Sequence, residues 1–539
     1  MADAVKPDME AVNALIERVE YAIAHDVTVS SEDLKMLLDL LLNANARLNR
    51  QTGTIDKLRK LAGLVNRAEP GHRDANGKGK RVGQRNRKRT TGFAPEGAPK
   101  ATPAVEKHAL ENHRKGDNCP ECTRGKLYKV EPASSLRVSG QPPFAATQHV
   151  LEQLRCNACG AYFTAQLPED VLRDGPRSQQ YGYSARALMA IYKNLTGMPY
   201  FRQQSLQQVM GVSITASTLY DQCKVVADII APVRATLIHL AADAPELALD
   251  DTGNRVLDQT GKEIPDRRTN KPKHRTGVYT SAVVATLDTG QPIYLFKTNI
   301  GHAGEWLDEI LQSRQATAPP PLLMSDALNR NQPSVIDSFV WCKCNAHARR
   351  EFYDCLSHVG ESETVIEQYQ SIWRNDTHCE EKQFDAQARQ RYHHKHSLPV
   401  MEGLRAQCEA WLAPESENEE NSTFGRACQY FLNHYEALTR FCHVPGATLD
   451  NNRVEQVLKL IILVRKNSLF YKTQNGADVG DILTSVLGTA VANGVNVFDY
   501  LVALQQNRFD VGRNADRWLP WNYQQTLQSM AEDVALAIA

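Results

Sequence analysis

Strand-like segments in the middle of the chain are the feature that most constrains its fold. Leu247–Thr252, Gly277–Thr286 and Pro292–Lys297 follow one another, and a helical stretch near Trp306–Ser313 separates them from Pro321–Asp326. Short runs of β-branched and aromatic residues bounded by Gly, Pro and Asp are typical of strands. Three neighbouring strands, a helix and a fourth strand predict an α/β sheet.

Acidic residues stand at the ends of the first and fourth predicted strands. A phosphodiester-cleaving site with two metal ions needs hard oxygen ligands from separate elements, and Asp250 and Asp326 could supply two of them. Alternatively, each aspartate caps a turn or a helix, as aspartates at strand ends often do. The residues alone leave both interpretations open.

Two downstream segments carry further polar groups on predicted helices. His347 and Arg350 lie close together on one helix, and Glu455 lies one turn into another. Residues three or four positions apart share a helix face, so Glu455 lies near Asn451 on one side and Lys459 on the other. The second helix can therefore present one carboxylate together with phosphate-binding donors.

Four cysteines form two Cys-x-x-Cys pairs, Cys119 with Cys122 and Cys156 with Cys159. Four thiolates suit a closed tetrahedral zinc site without an open position for water, and strand-like text between the pairs is typical of a zinc ribbon. A thioredoxin-like redox pair is the alternative, but it needs only one such pair. The pattern predicts a structural Zn²⁺.

Residues 70–104 are rich in Gly, Pro, Lys and Arg and predict a flexible basic linker. Attraction to the DNA backbone is one interpretation, and a merely solvated tether is the other. The predicted DNA-binding residues of this run are Lys78, Lys80, Arg81, Arg85, Arg87, Lys88 and Arg89.

Helical patterns flank these regions. Apolar residues recur from Leu34 to Val65 in an imperfect heptad, which favours equally an intramolecular helix and a self-associating coiled coil. Further along, Tyr200–Val209, a tight turn at Gly211 and Thr215–Val226 have the spacing of a helix-turn-helix. An ordinary helical hairpin is the alternative for this second pattern.

The overall composition is that of a globular chain. Hydrophobic residues make up 42% and charged residues 23%, and Lys+Arg and Asp+Glu both number 62, so any attraction to nucleic acid must be local. No uninterrupted apolar run approaches the roughly 18 residues of a membrane span, and most of the cysteines are scattered. A cytoplasmic location is the resulting expectation.

Taken together, four motifs resemble those of the insertion-sequence-66 family of bacterial transposases, over most of the chain. They are Asp450-Asn-Asn-x-x-Glu455, Arg465-Lys-Asn-x-Leu-Phe470, Cys344-x-Ala-His347-x-Arg349-Arg350-x-Phe352 and Asp250-x-Thr252. The resemblance implies a multidomain α/β protein: a ribonuclease-H-like mixed sheet with a helical insertion, plus an N-terminal helix, a zinc ribbon and a helix-turn-helix.

The resemblance also implies a mechanism. Asp250, Asp326 and Glu455 would hold two Mg²⁺ (or Mn²⁺) ions that activate water and then a DNA 3'-hydroxyl for in-line attack on phosphodiesters. Phosphate oxygens would be held by His347, Arg350 and Lys466.

This chain departs from the family pattern at two positions. It has Asp250-Asp251-Thr252 in place of Asp-Glu-Thr, and Ala327-Leu328 in place of Gly-Tyr after Asp326. Asp251 is a rival first ligand, although a continuous strand would turn it to the opposite face.

The expected organisation is a series of seven regions. They are an N-terminal helical or coiled-coil region (1–69), the basic linker (70–104), the zinc ribbon (105–170), the helix-turn-helix-like domain (175–240), the catalytic domain (245–345 and 446–510), its helical insertion (346–445) and a C-terminal tail (511–539). The expected partners are double-stranded DNA, namely terminal repeats and target, a second copy of the chain, and accessory proteins from the same element. The expected location is the bacterial cytoplasm, in association with the nucleoid. The alternative function is noncatalytic, zinc-dependent, site-specific DNA binding.

Overall fold

The structure is a computed structural model. It describes residues 143–155, 162–259, 262–265, 272–275, 277–326, 331–334, 339–355, 360–414 and 420–538, together with residues 18, 33, 36, 115–117, 126, 416 and 418. The basic linker, all four cysteines of the predicted zinc ribbon and most of the predicted N-terminal helix lie outside these residues.

The chain forms two compact units. The first comprises Met1–Lys88 and Glu351–Glu367, and in it Arg18 pairs with Asp33 at 2.9 Å. The second comprises Arg89–Arg350 and Gln368–Ala539 and contains the sheets and the candidate site.

Nine strands are present in the described residues. In chain order they are β1 (Gln153–Arg155), β2 (Tyr162–Thr164), β3 (Glu246–Asn254), β4 (Lys262–Pro265), β5 (Pro272–Arg275), β6 (Val278–Thr286), β7 (Pro292–Asn299), β8 (Leu322–Ser325) and β9 (Val340–Lys343). Five of them form one sheet in the order β7-β6-β3-β8-β9. β3 pairs antiparallel with β6 and parallel with β8, while β6 and β7 are antiparallel and β8 and β9 are parallel. The predicted mixed α/β architecture is therefore confirmed.

Helices make up most of the remaining described residues. In chain order they are α1 (Glu169–Arg173), α2 (Tyr183–Asn194), α3 (Tyr200–Val209), α4 (Ala216–Ala242), α5 (Ala303–Leu311), α6 (Asn345–Tyr353), α7 (Glu361–Glu381), α8 (Ala386–His396), α9 (Leu398–Trp411), α10 (Thr423–Leu438), α11 (Arg440–His443), α12 (Asn452–Ser468), α13 (Gln474–Ala492), α14 (Val497–Gln506), α15 (Arg508–Arg513) and α16 (Tyr523–Ile538). The described part of the predicted insertion is thus helical. In the predicted C-terminal tail, Trp518 and Tyr523 are buried in the main core.

The four strands predicted for the central sheet correspond to β3, β6, β7 and β8. The sequence patterns did not predict the fifth, β9, because its Val-Trp-Cys-Lys text is short and runs directly into a helix. They also missed the separate β4–β5 hairpin. Short strands are paired by their neighbours in space, and this information is absent from a local pattern.

The long helix α4 lies at the centre of the main core. Thr215 caps it by accepting a hydrogen bond from the Thr218 backbone N–H at 3.2 Å. Leu219, Ile230 and Leu237 are completely buried in the core cluster. The helix is long and apolar enough to cross a membrane, but this is weak evidence because core helices of soluble proteins have the same properties.

The predicted helix-turn-helix corresponds to α3 and the start of α4. The first helix has the predicted bounds, whereas the second continues to Ala242 instead of ending near Val226. Lys224 of α4 pairs with Asp228 at 2.7 Å. Two helices joined by a turn are present, and their role in reading DNA stays a prediction.

Side chains of α13 cover the edge strand β7. The backbone N–H groups of Thr298, Phe296 and Tyr294 donate to Asp481 (2.5 Å), Ser485 (3.0 Å) and Thr489 (3.0 Å) respectively. The acceptors are spaced four residues apart on the helix, a rise of about 6 Å, and the donors are spaced two residues apart on the strand, a rise of about 6.7 Å. The acceptors of α13 therefore stay opposite the donors of β7. The exposed edge of the sheet is thereby satisfied without a further strand.

Helix α12 covers the face of the sheet that carries Asp250. Val454, Val457 and Ile461 pack against Ala282 and Phe296 of β6 and β7. The opposite face of the sheet packs on the main core. This arrangement brings the first turn of α12 over the middle of β3.

Candidate active site

Two aspartates lie side by side on neighbouring parallel strands. Asp250 lies within β3, and Asp326 directly follows β8 and is 9% exposed. The register pairs Ala248 with Met324, so its continuation sets Asp250 opposite Asp326. Side chains two residues apart on a strand share a face, which places both carboxylates under α12.

The carboxyl group of Asp250 is held in an unfavourable environment for its charge. Burial raises its pKa to about 8, and the negative charges of Asp326, Asp251 and Glu455 add to this effect. The backbone N–H of Asp251 opposes the shift by donating to Asp250 Oδ1 at 2.8 Å. Carboxylates crowded in this way favour an added positive charge.

Asp251, the rival first ligand, faces the other side of the sheet. The strand continues through this residue to Asn254, and Asp251 Oδ2 lies 3.1 Å from His302 Nδ1. The His302 ring packs against that of Tyr279, with 4.4 Å between ring centroids. Asp251 is therefore part of a contact with the start of α5 and does not face Asp326.

Glu455 approaches the two aspartates from the first turn of α12. Its Oε1 lies 3.8 Å from His347 Nε2 on α6, and both side chains are about one quarter exposed (28% and 26%). A carboxylate and an imidazole thus lie together at an accessible position beside the buried Asp326 and the half-buried Asp250. The structure brings together Asp250, Asp326, Glu455 and His347.

Three buried residues hold the helices of His347 and Glu455 together. Cys344 Sγ accepts a hydrogen bond from the Asn451 backbone N–H at 3.2 Å. The Asn345 side-chain amide donates to the Leu449 carbonyl at 3.1 Å, and the Asn451 amide donates to the Leu249 carbonyl at 3.0 Å. These bonds explain why two motifs a hundred residues apart in sequence belong to one site.

The Asn451 bond is testable because its acceptor precedes Asp250. Asn451→Ala should lower the free energy of unfolding by about 1–3 kcal/mol, since the buried Leu249 carbonyl then loses its donor. Urea unfolding followed by circular dichroism measures this change. Asn452→Ala is the matched control, because Asn452 is exposed and its loss should cost less than about 0.5 kcal/mol. Equal effects of both variants would contradict the assignment.

Two residues that sequence reasoning missed contact Asp326. The Asn331 amide donates to Asp326 Oδ1 at 2.5 Å, and Lys343 Nζ donates to the Asp326 carbonyl at 2.9 Å. Lys343 is 7% exposed, and burial lowers its pKa to about 8 although the charge of Asp326 raises it. Lys343 lies on the unpredicted strand β9, so no sequence pattern pointed to it. Both residues fix the position of Asp326.

The other predicted phosphate-binding residues lie further out. Arg350 and Lys466 are exposed, and Lys466 lies on the last turn of α12. Eleven residues of helix separate Lys466 from Glu455, which corresponds to about 16 Å. Lys466 is therefore not part of the carboxylate group, although it shares a helix face with Glu455.

The donor set fits a divalent metal in its chemistry. Asp250, Asp326 and Glu455 offer only hard oxygen ligands, and the pKa of Asp250 is raised first by burial and then by the neighbouring negative charges, both of which a bound cation would offset. Among the described residues, however, no three His, Cys, Asp or Glu side chains are close enough to count as a formed metal site. The four cysteines predicted to bind zinc are outside the described residues, as are Ala327 and Leu328.

Comparison with known proteins gives one family. A sequence model described as "Transposase IS66 family" matches residues 178–479 of this chain. The matched region contains β3, β8, α6 and α12, the four elements that carry or directly precede the grouped side chains.

Three proteins of Sinorhizobium fredii (strain NBRC 101917 / NGR234) are similar to this chain. "Uncharacterized protein y4jD" is 21% identical over 82% of this chain and 83% of its own length. "Uncharacterized protein y4hP" is 23% identical over 70% and 68%, and "Uncharacterized protein y4qI" is 30% identical over 33% of each. Their names assign no activity.

Proposed function

Because this chain belongs to the IS66 family of transposases, we propose that it is a DNA transposase of a bacterial insertion sequence. It binds the element's terminal repeats and catalyses metal-dependent cleavage and transfer of DNA strands. The observation that carries this proposal is the meeting of Asp250, Asp326 and Glu455 from two strands and a helix. Ligands that converge from separate elements are what a phosphodiester-cleaving metal site requires.

The catalytic domain is proposed to be ribonuclease-H-like. The order of the sheet supports this, since the three antiparallel strands β3, β6 and β7 are followed in the chain by two strands parallel to β3. The central strand of that order is β3, which carries Asp250. Asp250 thus lies in β3 and Asp326 directly follows β8, the strand that pairs parallel with β3.

Asp250, Asp326 and Glu455 are the residues proposed to hold Mg²⁺ or Mn²⁺. When bound, two such ions supply charge neutralisation at the attacking and leaving oxygens of an in-line displacement. The protein's own residues prepare the position: Lys343 and Asn331 fix Asp326, while Asp250 is held half-buried within β3. Fixed, partly dry carboxylates lose little energy to reorganisation during the reaction.

Phosphate oxygens of the DNA are proposed to contact His347, Arg350 and Lys466. His347 is well placed for the scissile phosphate, because its Nε2 lies 3.8 Å from Glu455 Oε1. Arg350 lies one turn further along α6 and is exposed, as is Lys466 on α12. These two cations suit phosphates further along the strand.

Recognition of the DNA ends is proposed to rest on three other regions. They are the basic run from Lys78 to Arg89, the zinc ribbon built on Cys119, Cys122, Cys156 and Cys159, and the helix-turn-helix at α3 and α4. Phosphate contacts from the basic run would position the protein, and the start of α4 would read bases. The Lys224–Asp228 pair leaves this helix little free positive charge, so the basic run must supply most of the attraction.

The proposed partners are double-stranded DNA, a second copy of the chain and accessory proteins of the same element. Transposition requires two element ends to be held together, and a dimer meets this need. The proposed location is the bacterial cytoplasm, at the nucleoid.

Noncatalytic, zinc-dependent DNA binding is the second candidate. It is favoured by one observation: the chain departs from the family pattern beside two of the proposed ligands, at Asp251 and at Ala327-Leu328. A transposase that has lost cleavage would keep its binding regions and lose its metal ions.

Cleavage of DNA that carries the repeats flanking this gene separates the two functions. The full chain with Mg²⁺ should cut at the repeat ends and leave DNA with scrambled ends intact, as denaturing gels would show. Binding is measured in parallel by gel shift. Specific binding without cleavage under any divalent ion would favour the noncatalytic function, and absence of specific binding would exclude both.

A further inference from the structure

The turn after α12 has a backbone conformation that leucine rarely adopts. Leu469 has φ +68° and ψ −42°, and the Phe470 N–H donates to the Ser468 carbonyl at 2.8 Å. This is a γ-turn with positive φ, a rare and strained form. Strained residues persist where surrounding contacts impose them, and they cluster at functional sites.

Contacts on both sides of the turn impose this conformation. Before it, Lys193 Nζ donates to Ser468 Oγ at 2.7 Å and the Asn467 amide donates to the Gly197 carbonyl at 3.0 Å. After it, the Tyr471 N–H donates to the Arg255 carbonyl at 2.9 Å. The turn is therefore anchored to the region of α2 and to the end of β3, which fixes the backbone from which its two side chains project.

Those side chains are apolar and exposed. Leu469 is 68% exposed and Phe470 is 37% exposed. Lys466 and Lys472, both exposed, flank them, and residues 465–472 include no acidic residue. Large apolar side chains in a basic setting match a polyanion that also offers apolar surfaces, and DNA has both phosphates and base faces.

The turn is continuous with the candidate active site. Lys459 and Lys466 follow Glu455 on the same face of α12, and both are exposed. Arg465 donates to Thr252 Oγ1 at 3.1 Å, which ties the end of the helix to the strand of Asp250. Leu469 lies fourteen positions after Glu455, directly beyond the end of α12, and the helical rise over this span is about 21 Å, or about six base pairs of duplex.

We propose that Leu469 and Phe470 form a wedge that enters a base step of DNA bound at the active site. The wedge lies about six base pairs from the cleaved phosphodiester, and Lys459 and Lys466 contact the backbone in between. Apolar side chains inserted in this way unstack the bases and bend the duplex. This inference rests on the proposed function, because the DNA held there is the transposase substrate.

The test measures base unstacking with 2-aminopurine, which brightens when it leaves the stack. Duplexes carry the probe at successive positions within ten base pairs of the repeat end, and the full chain carries Asp250→Asn so that DNA is bound and not cut. We expect a several-fold increase in fluorescence at one step. Adding Leu469→Gly should abolish this increase while DNA affinity falls less than about tenfold.

Leu469→Gly separates the wedge from a structural role. Glycine adopts positive φ without strain, so the variant should fold and melt at the same or a higher temperature. Phe470→Ala should also lower the fluorescence increase, because it removes the second side chain of the wedge. Phe509→Ala and Leu536→Ala are the matched controls, since these side chains are 71% and 77% exposed elsewhere and should leave the signal unchanged.

Three results would overturn the wedge. Cleavage by the wild type with no bright position would reject the wedge while the proposed function stands. A bright position that survives Leu469→Gly and Phe470→Ala would assign unstacking to other residues. Failure to bind repeat DNA at all would reject the proposed function and the wedge with it.

Discussion

Asp250→Asn should abolish Mg²⁺-dependent cleavage of repeat DNA, with a loss of about a thousandfold or more. The substitution keeps the size of the side chain but removes a charged ligand, and metal-borne stabilisation of the transition state amounts to several kcal/mol, each 1.36 kcal/mol being tenfold in rate. Binding of the repeats should change less than about threefold, because the duplex is held mainly through phosphates. Single-turnover cleavage and gel shift on the same preparations measure both quantities.

Asp251→Asn is the matched control, one residue along the same strand. Asp251 contacts His302 on the opposite face, so its loss should leave the cleavage rate within about tenfold of the wild type. Its side chain is only 3% exposed, so the folded fraction must be checked by circular dichroism. If Asp251→Asn abolished cleavage and Asp250→Asn did not, the acidic site would lie on the other face of the sheet.

Asp481→Ala should give the largest loss of stability, about 2–5 kcal/mol of unfolding free energy at pH 6. The Thr298 N–H and hydroxyl both donate to this carboxyl, at 2.5 and 2.8 Å, and each buried donor left without an acceptor costs about 1–3 kcal/mol. Urea unfolding of both proteins gives the difference. Asp478→Ala, on an exposed side of the same helix, should cost less than about 1 kcal/mol.

The same residue predicts a pH dependence. Burial raises the pKa of Asp481 to about 7, against the opposing charge of Arg234, whereas the unfolded chain has the ordinary value of 3.8. The folded state therefore holds the proton more tightly, and the stability from this residue falls as pH rises from about 4 to about 7. The fall amounts to about 4 kcal/mol at most. Asp481→Asn should not show this loss of stability between about pH 4 and about pH 7, because asparagine does not ionise. Identical pH profiles of melting temperature for the wild type and this variant would contradict the prediction.

The series on α13 that includes Asp481 could have been found in the sequence. Asp481, Ser485 and Thr489 recur every four residues within a helical pattern, which sets three hydrogen-bonding side chains on one face. The sequence could not reveal that these side chains accept hydrogen bonds from the backbone N–H groups of β7, because β7 and α13 are nearly two hundred residues apart in the chain. The sequence therefore reveals the spacing of the three side chains but not that they bind the edge strand of the sheet.

The candidate site shows the same division. Asp250, Asp326 and Glu455 were predicted from strand ends, a helix start and a family resemblance. Lys343 and Asn331 were not, because one lies on an unrecognised four-residue strand and the other beside a segment without periodicity. Cys344 and Asn451 belong to two of the sequence motifs. Only the folded chain reveals that the Asn451 backbone N–H donates a hydrogen bond to the Cys344 sulfur.

The sequence by itself predicted the mixed α/β class and four of the five strands of the main sheet, and it named Asp250, Asp326 and Glu455 as candidate metal ligands. Local periodicity suffices for the strands, because it depends on near neighbours in the chain, whereas the family resemblance is what joins the three acidic residues into one set. Only the tertiary structure decided that Asp250 and not Asp251 faces Asp326, that α12 brings Glu455 to His347, and that Leu469 and Phe470 project beside that helix. These outcomes depend on which face of β3 is covered by α12, and that choice is made by packing of residues far apart in sequence.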